Sequence, residues 1–276
     1  MPEFWRTEFT RNMTPAQFAQ FIAQGYNRIP IVREVLADLE TPLSVYLKLA
    51  TGPYSYLLES VQGGEKWGRY SIIGLPATTI VQVYNNHIEV ITNGITTEQT
   101  LSQDPLVWIA AYLKRFKVPH LFSELRFSGG LVGYFGYDTV RFIETHLADN
   151  QLVDPLETPD ILLMVSDQVV VFDNLKGKLY LIVHITPSQS LMDAEQRLDE
   201  LETLLYKISP IDNSQFKIFN SNKPNITEAD FQSSFPRPAF EQAVERAKTY
   251  IKEGDIMQVV LSQRLTIACA TPPIHS

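Results

Sequence analysis

Residues 161–185 read ILLMVSDQVVVFDNLKGKLYLIVHI, and this stretch decides the fold. Two apolar, β-branched runs, ILLMVSDQVVVFD (161–173) and KLYLIVHI (178–185), flank NLKG (174–177), a turn sequence, so the segment predicts two linked strands. Upstream, from Tyr54 to Thr97, the apolar period is two. The runs YSYLLES, RYSIIG, TIVQVYN and HIEVITN are punctuated by GG, NN and NG, the signature of antiparallel strands and hairpins. Downstream, Ser190 to Ile208 predicts a long amphipathic helix with Leu191, Ala194, Leu198, Leu201 and Leu205 on one side.

Other helices frame this centre. Thr14-Pro15-Ala16-Gln17 forms a capping box with Pro at the first helical position; Phe18, Phe21 and Ile22 share a face, and Gly25 closes the helix. A β-branched stretch runs from Arg28 to Val35. A second helix starts at Thr41-Pro42, a third spans Asp104 to Phe116, and a short one is expected over Asp138 to Glu144. These elements predict an α+β fold in residues 1–210, one antiparallel β-sheet core covered by helices. Residues 211–236 lie in a Ser-, Asn-, Pro- and Lys-rich stretch without sustained periodicity, which reads as a linker or crossover. Residues 237–276 then open another domain. Phe240, Val244, Ala247 and Ile251 fall on one helical face, Gly254 ends that helix, and IMQVVLSQRLTIACA (256–270) reads as a strand. One helix and one strand cannot bury their apolar faces against each other, so a larger, incomplete unit is expected there.

Composition narrows the function classes. With 276 residues, 45% of them apolar and 20% charged, the chain is globular rather than disordered. Its 31 acidic and 23 basic residues give a formal net charge of −8, and the cations are scattered, which argues against a nucleic-acid surface. The single cysteine, Cys269, forms neither an internal disulfide nor a thiolate zinc site. The amino-terminal residues carry no apolar core of signal-peptide length and no segment has the unbroken apolar length of a bilayer span, so no membrane partner and a cytoplasmic location are expected.

Three segments could carry chemistry. Glu59 and Ser60 sit at a strand end beside a glycine turn, with Arg69 beyond it. There an acid could attract a ligand ammonium and a guanidinium a carboxylate, although from chemistry alone an ordinary polar hairpin end is the favoured reading. Gly129, Gly130, Gly133 and Gly136 do not fit a phosphate-loop spacing. They read as sites of close backbone approach, with Leu131, Val132, Tyr134 and Phe135 as core packing between them. In the strand expected after Gly254, Gln258, Val260, Ser262 and Arg264 share parity; the face is either half-exposed or lines a polar cavity. The histidines at 87, 120, 146, 184 and 275 are dispersed and suggest no complete metal site.

Taken together, PYSYLLESVQGGEKWGRYSIIG (53–74), RFSGGLVGYFGYDTVRFIE (126–144) and AKTYIKEGDIMQVVLSQR (247–264) resemble the chorismate-using large subunits of anthranilate synthase, in the same order and at similar separations. The resemblance implies a family that converts chorismate and ammonia to anthranilate and pyruvate with Mg2+, that receives its ammonia from a glutaminase partner subunit, and that is inhibited by tryptophan. It reverses the preference at Glu59 and Ser60, which match the family's tryptophan-binding segment, and it makes Arg69 the matching basic residue. Residues 1–210 then correspond to the regulatory domain and 237–276 to the start of the chorismate-binding domain. Gln258 stands where the related isochorismate synthases carry a water-activating lysine, and a neutral amide suits ammonia, already a competent nucleophile. The family's magnesium carboxylates and catalytic histidine region lie beyond the quoted segments, so this chain by itself is expected to be inactive. Two alternatives remain at this point: the related aminodeoxychorismate synthase component I, and a non-catalytic tryptophan-binding or subunit-docking module.

Overall fold

The structure is a computed structural model that describes residues 13–61, 67–122, 125, 127–148, 156–207 and 227–268, the side chains of Ser60, Val61, Trp67 and Thr145 excepted. The elements in chain order are α1 (Pro15–Ala23), β1 (Ile29–Leu36), α2 (Pro42–Leu49), β2 (Tyr56–Val61), β3 (Trp67–Gly74), β4 (Thr79–Tyr84), β5 (His87–Thr92), β6 (Ile95–Leu101), α3 (Pro105–Leu113), β7 (Gly130–Phe135), β8 (Ile161–Ser166), β9 (Gln168–Asp173), β10 (Lys178–Ile185), α4 (Leu191–Tyr206), β11 (Gln232–Ser233), α5 (Arg237–Glu253) and β12 (Leu265–Thr266). The described residues fall into two compact units, one within 1–208 and one within 209–276.

The α+β class holds, but the first unit contains two five-stranded antiparallel sheets where one was expected. Their orders are β1-β10-β9-β3-β2 and β6-β5-β4-β8-β7. The division falls inside ILLMVSDQVVVFD, which is two strands: β8 belongs to the second sheet and β9 to the first. The break is at Ser166-Asp167, where polar groups replace the ladder. The Asp167 carbonyl accepts from the His184 backbone N–H at 2.9 Å and lies 3.1 Å from His184 Nδ1, while Arg28 Nε approaches Asp167 Oδ1 at 3.1 Å. An apolar run with no Gly or Pro gives no periodicity signal for such a bend, because strands buried on both faces lose their alternation.

The helices start as their caps dictate. Thr14 and Gln17 exchange both bonds of the capping box at 2.9 and 3.2 Å, and Thr41/Ser44 and Ser190/Asp193 repeat the arrangement. Leu198, Leu201 and Leu205 of α4 are fully buried against one face of the first sheet, together with Val45 of α2 and Ile29, Leu179 and Leu181 of the strands. Phe18, Phe21 and Ile22 pack against the same cluster. The opposite face buries Val32, Val169, Val171 and Ile182 under Phe122, Leu125 and Phe127. The second sheet buries Val81, Val83, Ile88 and Leu163 against Ile109 and Tyr112 of α3. Its β5–β6 hairpin turns on Asn93-Gly94, both at positive φ (52° and 76°), as a two-residue type I′ reversal requires.

Two further expectations change. Residues 137–142 form a 3-10 helix. Tyr134 and Phe135, expected as core, are exposed because β7 is the edge strand of its sheet. Gly133 does mark close backbone approach: a Cβ there would lie 1.9 Å from the Leu162 carbonyl oxygen.

In the second unit α5 runs from Arg237 to its left-handed cap at Gly254 with no buried residue among those described. The expected strand from 256 shrinks to Leu265–Thr266, paired with Gln232–Ser233. Residues 256–264 carry strand-like side chains, yet they form no described ladder, and only at Gln263 and Arg264 do bonds from Ser233 and Ser234 reach them among the described residues. Cys269 and most of the expected linker lie outside the described residues.

Candidate functional site

β2 and β3 form the edge hairpin of the first sheet, and the register between them places the candidate residues. Pairs run from Tyr56↔Gly74 to Glu59↔Ser71, and the next pair is Val61↔Trp67. Ser60 therefore stands alone opposite Gly68, Arg69 and Tyr70, where the ladder is irregular, a feature that bends a strand and re-aims its side chains. Glu59 is exposed. Across the sheet it continues the row Ser71, Phe172, Leu179 and Val35, so it sits where the helix-covered core face reaches the open edge.

Arg69 is held from the neighbouring strand. Its Nη2 donates to Asp173 Oδ2 at 3.2 Å, and its guanidinium lies 4.8 Å from the Tyr70 ring centroid. Asp173 is buried, and its other oxygen accepts from the backbone N–H groups of Leu175 and Lys176, both at 3.1 Å. Asn174 donates from its backbone to the Arg69 carbonyl at 2.8 Å, and from Nδ2 to the Gly68 carbonyl at 2.9 Å and to Ser71 Oγ at 3.3 Å. The turn after β9 thus braces the irregular part of β3 from behind. Sequence reasoning named Glu59, Ser60 and Arg69 and missed Asp173 and Asn174. Their only signal was an Asp-Asn pair closing an apolar run, which reads equally well as the opening of any turn. A ligand carboxylate reaching Arg69 would share that cation with Asp173.

Tyr56, on the same strand, lies flat across Gly74: a Cβ on Gly74 would fall 1.9 Å from the Tyr56 ring. This directs the phenol to Ser166 of the other sheet, with Oη and Oγ 2.7 Å apart. Burial pushes the Tyr56 phenol up from its ordinary pKa, with the Ser166 bond opposing, so the group is a neutral hydrogen-bonding phenol at neutral pH.

Gln258 belongs to the second unit and is exposed, as are Val260, Ser262 and Arg264. In the absence of a regular strand their shared parity does not place them on one face. Among the described residues no group of three or more His, Cys, Asp or Glu is arranged to hold a metal ion. Nor is any described helix long and apolar enough to cross a membrane. An open cleft of about 530 Å³ on the second sheet is lined by Arg28, Thr92, Glu98, Tyr112 and Arg115 among others, and none of Glu59, Arg69 or Gln258 borders it.

Comparison with known proteins joins these segments. Residues 57–276 match the model of a family described as chorismate binding enzyme. The chain is 49% identical over 265 residues to anthranilate synthase component 1 of Pseudomonas putida, covering 95% of this chain and 53% of that protein. It is 46% identical over 257 residues to the protein of the same name from Neisseria gonorrhoeae, covering 91% and 50%. Among solved structures, the crystal structure of anthranilate synthase component I from Streptococcus pneumoniae TIGR4 superposes with a TM-score of 0.54 at 25% identity, covering 87% of this chain and 50% of that one. The chain spans about half the length of the curated relatives it matches. Carrying the β2–β3 segment, the glycine-rich edge strand and the Gln258 segment within one matched span, it belongs to the chorismate-binding enzyme family.

Proposed function

We propose that this chain supplies the amino-terminal half of an anthranilate synthase component 1, which converts chorismate and ammonia to anthranilate and pyruvate for tryptophan biosynthesis in the cytoplasm. The observation that carries the reading is the 49% identity, over 95% of the chain, to a protein of that name. The ammonia comes from a glutaminase partner, and Mg2+ is held by residues outside this chain. In this reading Glu59, Ser60 and Arg69 take L-tryptophan as inhibitor: the carboxylate of Glu59 faces the ammonium, and Arg69 the carboxylate. Gln258 is the residue bordering the nucleophile. Its neutral amide hydrogen-bonds ammonia without competing for a proton, whereas a water nucleophile would need a base.

The test joins the 276 residues to the part of the Pseudomonas putida protein that they do not match and follows anthranilate fluorescence with chorismate, ammonium and Mg2+. Turnover that requires both chorismate and ammonium is expected. The 276 residues alone are expected to give none above a buffer blank. A folded fusion that consumes no chorismate would refute the assignment.

A further inference from the structure

The two sheets of the first unit are joined covalently at Ser166-Asp167 and through residues 75–78, where the Leu75 N–H donates to the Gln168 carbonyl at 3.1 Å, and β2 adds a side-chain bond between them, the Tyr56–Ser166 contact at 2.7 Å. Ser166 is almost fully buried. It is also the register partner of Gly130, the first residue of β7. The approach to β7 leaves no slack. A Cβ on Gly129 would fall 2.7 Å from the Ser166 carbonyl oxygen and 2.6 Å from the His184 ring. Gly129 and Gly130 lie at φ of 151° and 144°, a region that side-chain-bearing residues rarely adopt, so the backbone turns into β7 on a glycine joint. At the other end Tyr56, four residues before Ser60 on β2, is held by its ring lying on Gly74 of β3.

From this connection we infer that Tyr56 is a positioning residue that transmits occupancy of the β2–β3 end to the glycine-rich strand β7. The inference rests on the effector reading of Glu59, Ser60 and Arg69. A ligand that draws the irregular end of β2 toward itself displaces the strand along its length, because a paired strand moves as a unit. Tyr56 carries that displacement across the sheet boundary to Ser166. Ser166 lies against the glycine joint, so β7 shifts with it, and β7 presents the exposed Tyr134 and Phe135. Remove the phenol oxygen and β2 still binds and still moves, but the side-chain link that passes the movement of β2 to Ser166 is gone. Coupling free energies between sites correspond to about 5–150-fold effects, which sets the size to look for.

The test uses the 276-residue chain, L-tryptophan as probe, and two readouts. Calorimetry measures binding, and hydrogen exchange of the amides from Leu131 to Phe135 measures the response of β7. Wild type is expected to change exchange in β7 by at least about fivefold on saturation. Tyr56→Phe is expected to bind with an affinity within about twofold of wild type, yet to lose that change; a role in stability alone would alter resting exchange and leave the ligand-induced ratio intact. Ser166→Ala, which removes the partner and keeps the ring, must behave in the same way, and it replaces Tyr56→Phe if that variant does not fold. Binding with no response of β7 in wild type, or an equal response in the variants, overturns the inference and leaves the effector reading standing. Absence of binding heat in wild type removes the effector reading and the inference with it.

Discussion

A methyl group at Gly133 tests the strand packing that brings the glycine-rich segment against its neighbour. Gly133 pairs with Leu163, and a Cβ on it would lie 1.9 Å from the Leu162 carbonyl oxygen and 2.9 Å from Leu163 Cα, where real Cβ contacts do not fall below 3.0 Å. The backbone at Gly133 is not left-handed, so the cost is steric and not conformational. To relieve it, β7 must withdraw from β8 by more than an ångström, which carries ladder bonds of about 2.9 Å beyond hydrogen-bonding range. Overpacking costs about 1–3 kcal/mol, and each interrupted bond adds about 1 kcal/mol. Gly133→Ala should therefore lose about 2–4 kcal/mol. In a unit of this size that corresponds to a melting midpoint roughly 5–12 °C lower. Since β7 is an edge strand, the loss can also be taken locally, and hydrogen exchange then shows Leu131 to Phe135 deprotected below the global transition. A variant whose midpoint and β7 protection both match wild type would refute the packing argument.

Leu198 is fully buried between α4 and the first sheet, and Leu198→Ala should cost about 2–5 kcal/mol by urea denaturation, against less than about 0.5 kcal/mol for Met192→Ala on the exposed face. His184 is buried beside Asp167 and Arg28, and burial lowers its pKa below the ordinary imidazole value, with the Asp167 contact opposing. Above about pH 6.5 the ring is neutral in both states and its contribution is fully present. As pH falls below that value the unfolded state takes up a proton that the native state refuses, so stability declines by up to about 1.4 kcal/mol per pH unit until the lowered native pKa is reached. His184→Asn, which keeps a donor toward Asp167, should flatten that part of the pH–stability curve. Finally, Met257, Val260 and Leu265 are exposed in the second unit, and α5 buries no described side chain. Ending the chain at Pro210 should therefore raise the concentration at which light scattering first appears, and earlier aggregation of the shorter chain would place the boundary elsewhere.

What could be read from the sequence follows physical rules of local range. The capping box at Thr14, the helix start at Thr41-Pro42, the Asn93-Gly94 reversal and the apolar stripe of α4 are each written within a few residues, and each folds as written. The division into two sheets is not local. It depends on Asp167 meeting Arg28 and His184, partners far away in sequence, and an apolar run buried on both faces hides the bend between them. The strand expected after Gly254 failed for a related reason: propensity sets which residues fit a strand, but a ladder needs neighbours. At the candidate site, Glu59, Ser60 and Arg69 were legible through resemblance to a family. Asp173 and Asn174, which brace Arg69 and Gly68, read in the sequence only as a turn opening, and their role depends on β9 lying beside β3.

The central claim is that the β2–β3 end senses tryptophan on behalf of an anthranilate-forming enzyme. Its most direct test is the inhibition curve of the fusion described above, with L-tryptophan varied at fixed chorismate and ammonium, for the parent and for Ser60→Phe. The account predicts inhibition of the parent and a half-inhibiting concentration at least about tenfold higher for Ser60→Phe, a loss of about 1.4 kcal/mol. Superposable curves for the two proteins, or a parent that tryptophan does not inhibit, would contradict it.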